Sequence, residues 1–163
     1  MTLWRVTNHS SLDGTGGLLT AGRWHSKGRP ILYCATSPAA ALLETLVHLE
    51  IDPTDVPATY RLQRVEVPPD TSRETIELTA LPAEWRNRPD MSRTLGDAWL
   101  VAGRSALLEV PSALVGATAN ILVNPLHRDA HRLRIVDELT AQLDPPRSAQ
   151  NILILAPGTL VLA

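Results

Sequence analysis

Apolar and polar positions along the chain alternate in short runs, interrupted by proline- and glycine-rich turns. Leu3 to Thr7 reads as a first strand, followed by a glycine-rich loop from Asp13 to Gly17. Pro30 to Ala35 reads as a buried strand entered from the turn at Gly28-Arg29-Pro30. The clearest helix starts at Ser37: the serine suits a cap, Pro38 suits the first helical position, and Ala39 to Leu49 are strong helix formers. Its apolar stripe, Ala40, Leu43, Leu46 and Val47, is expected to face the core, with Glu44 at the stripe's border and His48 one turn later on the same side. Strands are expected at Thr59 to Val67 and Thr75 to Leu78, separated by Pro68-Pro69-Asp70. A second helix is expected from Ser92, as its cap, to Ala102, closed by Gly103. Arg104 to Val110, Ala119 to Val123 and Leu133 to Val136 complete the strands.

Strands outnumber helices and do not alternate regularly with them. The expected fold is therefore α+β, a single domain with a mainly antiparallel or split sheet and flanking helices. No G-x-G-x-x-G segment opens a βαβ unit, which argues against a Rossmann domain. The length of 163 residues suits one core, and 44% hydrophobic with 20% charged residues is ordinary for a soluble globular protein. A net charge of -2 argues against direct DNA binding through a general basic surface. The start of the chain lacks a signal-peptide pattern and no apolar stretch is long enough to span a bilayer, so a cytoplasmic location without membrane contact is expected. Cys34 is the one cysteine, which excludes an internal disulfide. No metal is expected, since His127 and His131 lack a partnering cysteine or carboxylate motif.

Four stretches carry candidate chemistry. Gly22-Arg23-Trp24-His25-Ser26-Lys27-Gly28-Arg29 sets cationic side chains beside glycines and suits an anion, although such loops are commonly just solvated. Tyr33 could pack with its hydroxyl bonded or offer its face to a flat aromatic ligand. Glu44 could pair with an arginine or face a positive charge on a ligand. The fourth stretch joins Leu108-Glu109-Val110-Pro111-Ser112 to Asn120 and Asn124-Pro125-Leu126-His127; without a G-x-S-x-G elbow, Ser112 is not read as a hydrolase nucleophile.

Taken in order, these segments resemble the RES-domain family, named for an Arg, a Glu and a Ser. The resemblance runs from Trp4-Arg5 and Asp13 to Gly17, through Gly22-Arg23-Trp24-His25-x-x-Gly28-x-Pro30-x-x-Tyr33 and Ser37-x-x-x-Ala41-x-x-Glu44. It continues with Pro82-x-x-Trp85, Gly96-Asp97-x-Trp99, Val110-Pro111-Ser112, Asn124-Pro125-x-His127 and Asp144-Pro145-Pro146-Arg147. The family domain is thereby expected over residues 1–150, with 151–163 an apolar C-terminal extension of it, read as a hairpin covering a sheet edge or a dimer contact.

The resemblance implies a fold similar to ADP-ribosyltransferase toxins and a toxin that cleaves the nicotinamide–ribose bond of NAD⁺. ADP-ribose then passes to an acceptor: water, phosphate or a protein side chain. It implies Glu44, Arg23 and Ser112 as catalytic residues, and Arg23, Tyr33, His25, Lys27, Ser112 and Asn124 around NAD⁺, with no metal. An Xre-like helix-turn-helix antitoxin is the implied partner, the toxin being a homodimer within that complex. The alternative is a non-catalytic nucleotide-binding regulatory module of the same fold. Arg23, Lys27 and Arg29 are expected to make the cleft positive.

Overall fold

The computed structural model describes residues 1–48 and 59–142. Its strands are β1 (Thr2–Val6), β2 (Leu32–Ala35), β3 (Thr59–Glu66), β4 (Arg73–Thr75), β5 (Leu107–Pro111), β6 (Ala119–Val123) and β7 (Arg134–Gln142). Its helices are α1 (Thr15–Leu19), α2 (Pro38–His48) and α3 (Pro89–Ala102). The strands form one sheet in the order β4-β5-β6-β2-β1-β3-β7, in which the β4–β5 pair is parallel and the others antiparallel. This is the expected α+β architecture. The 151–163 extension lies outside the described residues.

Side-chain alternation divides the sheet into two faces. In β2, Leu32 and Cys34 enter one cluster with Leu3, Val65, Leu107, Ile121 and Val123. Tyr33 and Ala35 point to the opposite face, where two separate clusters form. One, over β5 and β6, gathers Trp24, Trp85 and Trp99 on Leu108, Val110 and Leu122. The other seats α2 through Ala41 on Ala35 and Leu62, with Trp4 and Val6 beside them. Tyr33 pairs across the sheet with Leu122, so its ring stands on β2 between the two clusters. The gap between them positions the site.

Several local expectations are corrected. The glycine segment is not wholly a loop: the Asp13 carboxylate accepts from Thr15 N–H at 3.0 Å, and α1 starts there. Ser37 does cap α2, accepting from Ala40 N–H at 3.2 Å. The helix, however, is rotated by about one residue, roughly 100°, from the expected stripe. Ala41 is buried, while Leu43 and Val47 are 42% and 52% exposed. A small alanine lets α2 approach the sheet closely, and that phase turns Glu44 inward rather than the larger apolar side chains. The strand expected over Thr75 to Leu78 ends at Thr75 instead: β4 is shorter and earlier, and a 3₁₀ turn covers Leu78–Ala80. Ser92 is not the cap of α3, which begins at Pro89. Gly103, left-handed at φ 56, closes it as expected. The last strand is longer than expected, because its pairing with β3 continues to Gln142 across a bulge between Arg64 and Val65.

Candidate active site

Ser112 follows β5 and Glu44 lies in the second turn of α2. Although 68 positions apart, they meet: the Ser112 hydroxyl donates to Glu44 Oε1 at 2.6 Å. That length is typical of a hydroxyl bonded to an ionised carboxylate. Ser112 is 2% exposed, and its oxygen accepts from the backbone N–H groups of Leu114 and Val115, both at 3.1 Å. With both lone pairs engaged, its single proton is committed to Glu44. Ser112 therefore orients the carboxylate. A serine two and three residues ahead of the N–H groups it caps is a local turn motif, visible in sequence; its long-range bond to Glu44 is not.

Arg23 is held at the other side of the gap. Its Nη1 donates to the Arg86 carbonyl at 3.0 Å, and its guanidinium lies 5.9 Å from the Trp85 ring centre. Its Nε is buried and has no hydrogen-bond partner. Burial lowers the Arg23 pKa; the Glu44 carboxylate opposes that shift and the Arg93 guanidinium adds to it. Arginine nevertheless stays charged, so a cation and a carboxylate flank the gap.

Tyr33 is 37% exposed, yet its hydroxyl end is covered. The oxygen accepts from Trp24 N–H at 3.0 Å and lies 2.9 Å from His25 Nδ1. His25 Nε2 lies 3.0 Å from the Thr20 carbonyl. A carbonyl can only accept, so Nε2 carries the proton and Nδ1 accepts from the tyrosine. Burial raises the Tyr33 pKa and lowers that of His25, which keeps both neutral. The exposed part of the ring borders a cavity of about 130 Å³ with Val6, Thr7, Asp13 and Gly16, whose lining does not include Arg23, Glu44 or Ser112. Of the two expected uses of Tyr33, the structure shows the bonded hydroxyl, with part of the ring left exposed. His25, 3% exposed, reaches the site through Tyr33, because both ring nitrogens are taken.

Lys27 is exposed, and Arg29 pairs with Asp97 at 3.0 Å. Asn124 sits beyond the end of β6 remote from Ser112. Its Oδ1 accepts from Leu126 N–H at 3.1 Å, in an open groove of about 460 Å³ shared with Arg104 and Arg128. Among the described residues no group of three or more His, Cys, Asp or Glu side chains converges on a common point, and no helix is long and apolar enough to cross a membrane.

What sequence reasoning missed is that α3 holds the Arg23 loop. Ser92 Oγ donates to the Arg23 carbonyl at 2.7 Å, Arg93 Nε to the Gly22 carbonyl at 2.7 Å, and Asp97 accepts from Ser26 N–H at 2.9 Å. Gly96 lies so close that a Cβ there would meet the Trp24 carbonyl oxygen at 1.8 Å. Positions 92, 93, 96 and 97 share one helical face and together grip the Arg23 loop. The spacing of Ser92, Gly96 and Asp97 was the available signal.

Several known proteins are similar to this chain. The toxin Res of Pseudomonas putida is 48% identical over 141 residues, covering 86% of this chain and 96% of that protein. The Prs ADP-ribosylating toxin of a Sphingobium species is 36% identical over 143 residues, covering 82% and 88%. Among solved structures, the M. tuberculosis MbcT–MbcA toxin–antitoxin complex contains a chain of the same fold, with a TM-score of 0.71 at 19% identity, covering 86% of this chain and 84% of that one. The model of the RES domain matches residues 2–144, and with nearly the whole described chain inside that match, the protein belongs to the RES-domain family of toxins.

Proposed function

We propose that this protein is the toxin of a toxin–antitoxin pair and that it cleaves the nicotinamide–ribose bond of NAD⁺, transferring ADP-ribose to an acceptor. The observation that carries the reading is the Glu44–Ser112 bond of 2.6 Å, which fixes a carboxylate across the gap from Arg23 and the exposed part of the Tyr33 ring. A relative named as an ADP-ribosylating toxin supports the reaction class, and a fold shared with a toxin–antitoxin complex supports the partner.

The chemistry suits these groups. As the C–N bond breaks, its electron pair leaves with nicotinamide, which becomes neutral, and positive charge develops on the ribose. Glu44, oriented by Ser112, stabilises that charge. The Tyr33 face carries the nicotinamide ring and Arg23 the negative diphosphate. The acceptor's oxygen or nitrogen then bonds to the ribose carbon and loses a proton. Antitoxin-free protein incubated with NAD⁺, with and without cell lysate, is expected to release nicotinamide. Label left as free ADP-ribose assigns the acceptor to water, label in ADP-ribose phosphate to phosphate, and label on a polypeptide to protein. NAD⁺ bound but never cleaved would instead identify a non-catalytic module.

A further inference from the structure

Arg93 is more than an anchor for the Arg23 loop. Its Nε bond fixes the side chain to Gly22, the residue before Arg23, and among the described residues this is the only hydrogen bond that side chain makes. The same Gly22 lies against the tyrosine: a Cβ there would stand 2.6 Å from the Tyr33 hydroxyl. Arg23, Arg93 and Tyr33 therefore converge on one residue. Both arginines are partly buried, and each guanidinium acts on Arg23 or Tyr33 through its charge.

Most other arginines of the fold are neutralised. Arg29, Arg61, Arg64, Arg73, Arg88, Arg104 and Arg132 all face carboxylates. Among the described residues, neither Arg23 nor Arg93 forms an ion pair. Two like charges in a partly desolvated site repel, and an anion bound between them would relieve that repulsion. Arg23 also holds a buried Nε with no acceptor.

We propose that Arg93 is a second ligand of the substrate's diphosphate, which bridges the Arg23 and Arg93 guanidinium forks. This assignment rests on the NAD⁺ reading and adds to it a residue that replaces Lys27 as the second cation. Two planar forks match two phosphate groups better than one arginine with a solvated lysine.

The test is equilibrium binding of ADP and of adenosine, which differ by the diphosphate, to wild type, R93Q and S92A. Wild type is expected to prefer ADP by about tenfold or more, the scale of charge-assisted hydrogen bonds. R93Q is expected to weaken ADP by about tenfold while leaving adenosine unchanged. S92A cuts a loop anchor without removing a charge, and is expected to shift both ligands alike. For NAD⁺ turnover, R93Q is expected to raise KM with kcat nearly unchanged. R93M, which keeps the stem, reads the same ratio should the glutamine variant not fold. An R93Q or R93M protein that keeps the wild-type preference for ADP overturns the assignment of Arg93 alone, as does equal weakening of both ligands. A wild type that does not distinguish ADP from adenosine overturns the dinucleotide reading together with it.

Discussion

At the scale of residues, the site works by saturating the groups that surround it. Ser112 has its proton on Glu44 and both lone pairs on backbone N–H groups, and Tyr33 is bonded between Trp24 and His25. The Glu44 carboxylate is thereby held in one orientation. Glu44→Gln keeps the shape and loses the charge, so kcat for nicotinamide release is expected to fall by about two to three orders of magnitude, with NAD⁺ affinity little changed; near-full turnover in a folded variant would exclude the mechanism. His25 gives a second prediction. Burial lowers its pKa below the ordinary 6.5, so the unfolded chain binds the proton more readily than the folded one. Its contribution to stability is full above about pH 6.5 and is lost as pH falls toward the folded value. Thermal melts between about pH 7 and 5 are expected to show this decline, and His25→Gln is expected to flatten the upper part of it, ahead of the range in which carboxylates titrate. An unchanged slope in that variant would place the pH sensitivity elsewhere.

At the scale of elements, α2 and α3 divide the work. α2 carries Glu44 to Ser112, and α3 holds the loop that carries Arg23. Because Gly96 meets the Trp24 carbonyl directly, Gly96→Ala forces the helix away from that loop. A loss of about 1–3 kcal/mol is expected from such overpacking, together with weaker NAD⁺ binding; a variant as stable and as tight-binding as wild type would show that the contact is not needed. The same two helices mark where sequence was legible. The capping of α2 followed from Ser37 and Pro38, because those are local backbone requirements. The phase of its buried face did not, since the largest apolar side chains suggested one stripe while the fit of Ala41 against the sheet selected another. Serine favours a cap, which predicts that role for Ser92; in the fold its hydroxyl reaches the Arg23 carbonyl, a partner 69 positions away. Glu44, Arg23, Tyr33 and Ser112 emerged as a set through the family motifs, whereas Arg93, an isolated arginine on a helix, had no local signature.

At the scale of the whole molecule, the site draws on segments from both halves of the chain, all gathered on one face of the sheet, with the gap open between two apolar clusters. Inhibition by a partner that fills that gap is therefore expected, through a blocking segment that presents a carboxylate to Arg23 and Arg93. Co-expression with the cognate antitoxin is expected to restore growth, and the purified complex neither to bind nor to cleave NAD⁺. A stoichiometric complex that turns over NAD⁺ as fast as the free protein would rule out occlusion.

The alternation within β2 has one more consequence. Cys34 follows Tyr33 on the same strand but points into the opposite layer, 4% exposed, with its thiol pushed by burial up to about 11. A thiol so placed reacts with an alkylating reagent only when β2 leaves the sheet. The chain's single cysteine is thus an internal clock for the strand that carries the tyrosine. Its alkylation rate, followed by mass spectrometry, is expected to slow when NAD⁺ or an analogue occupies the other face, which reports ligand binding without any engineered label.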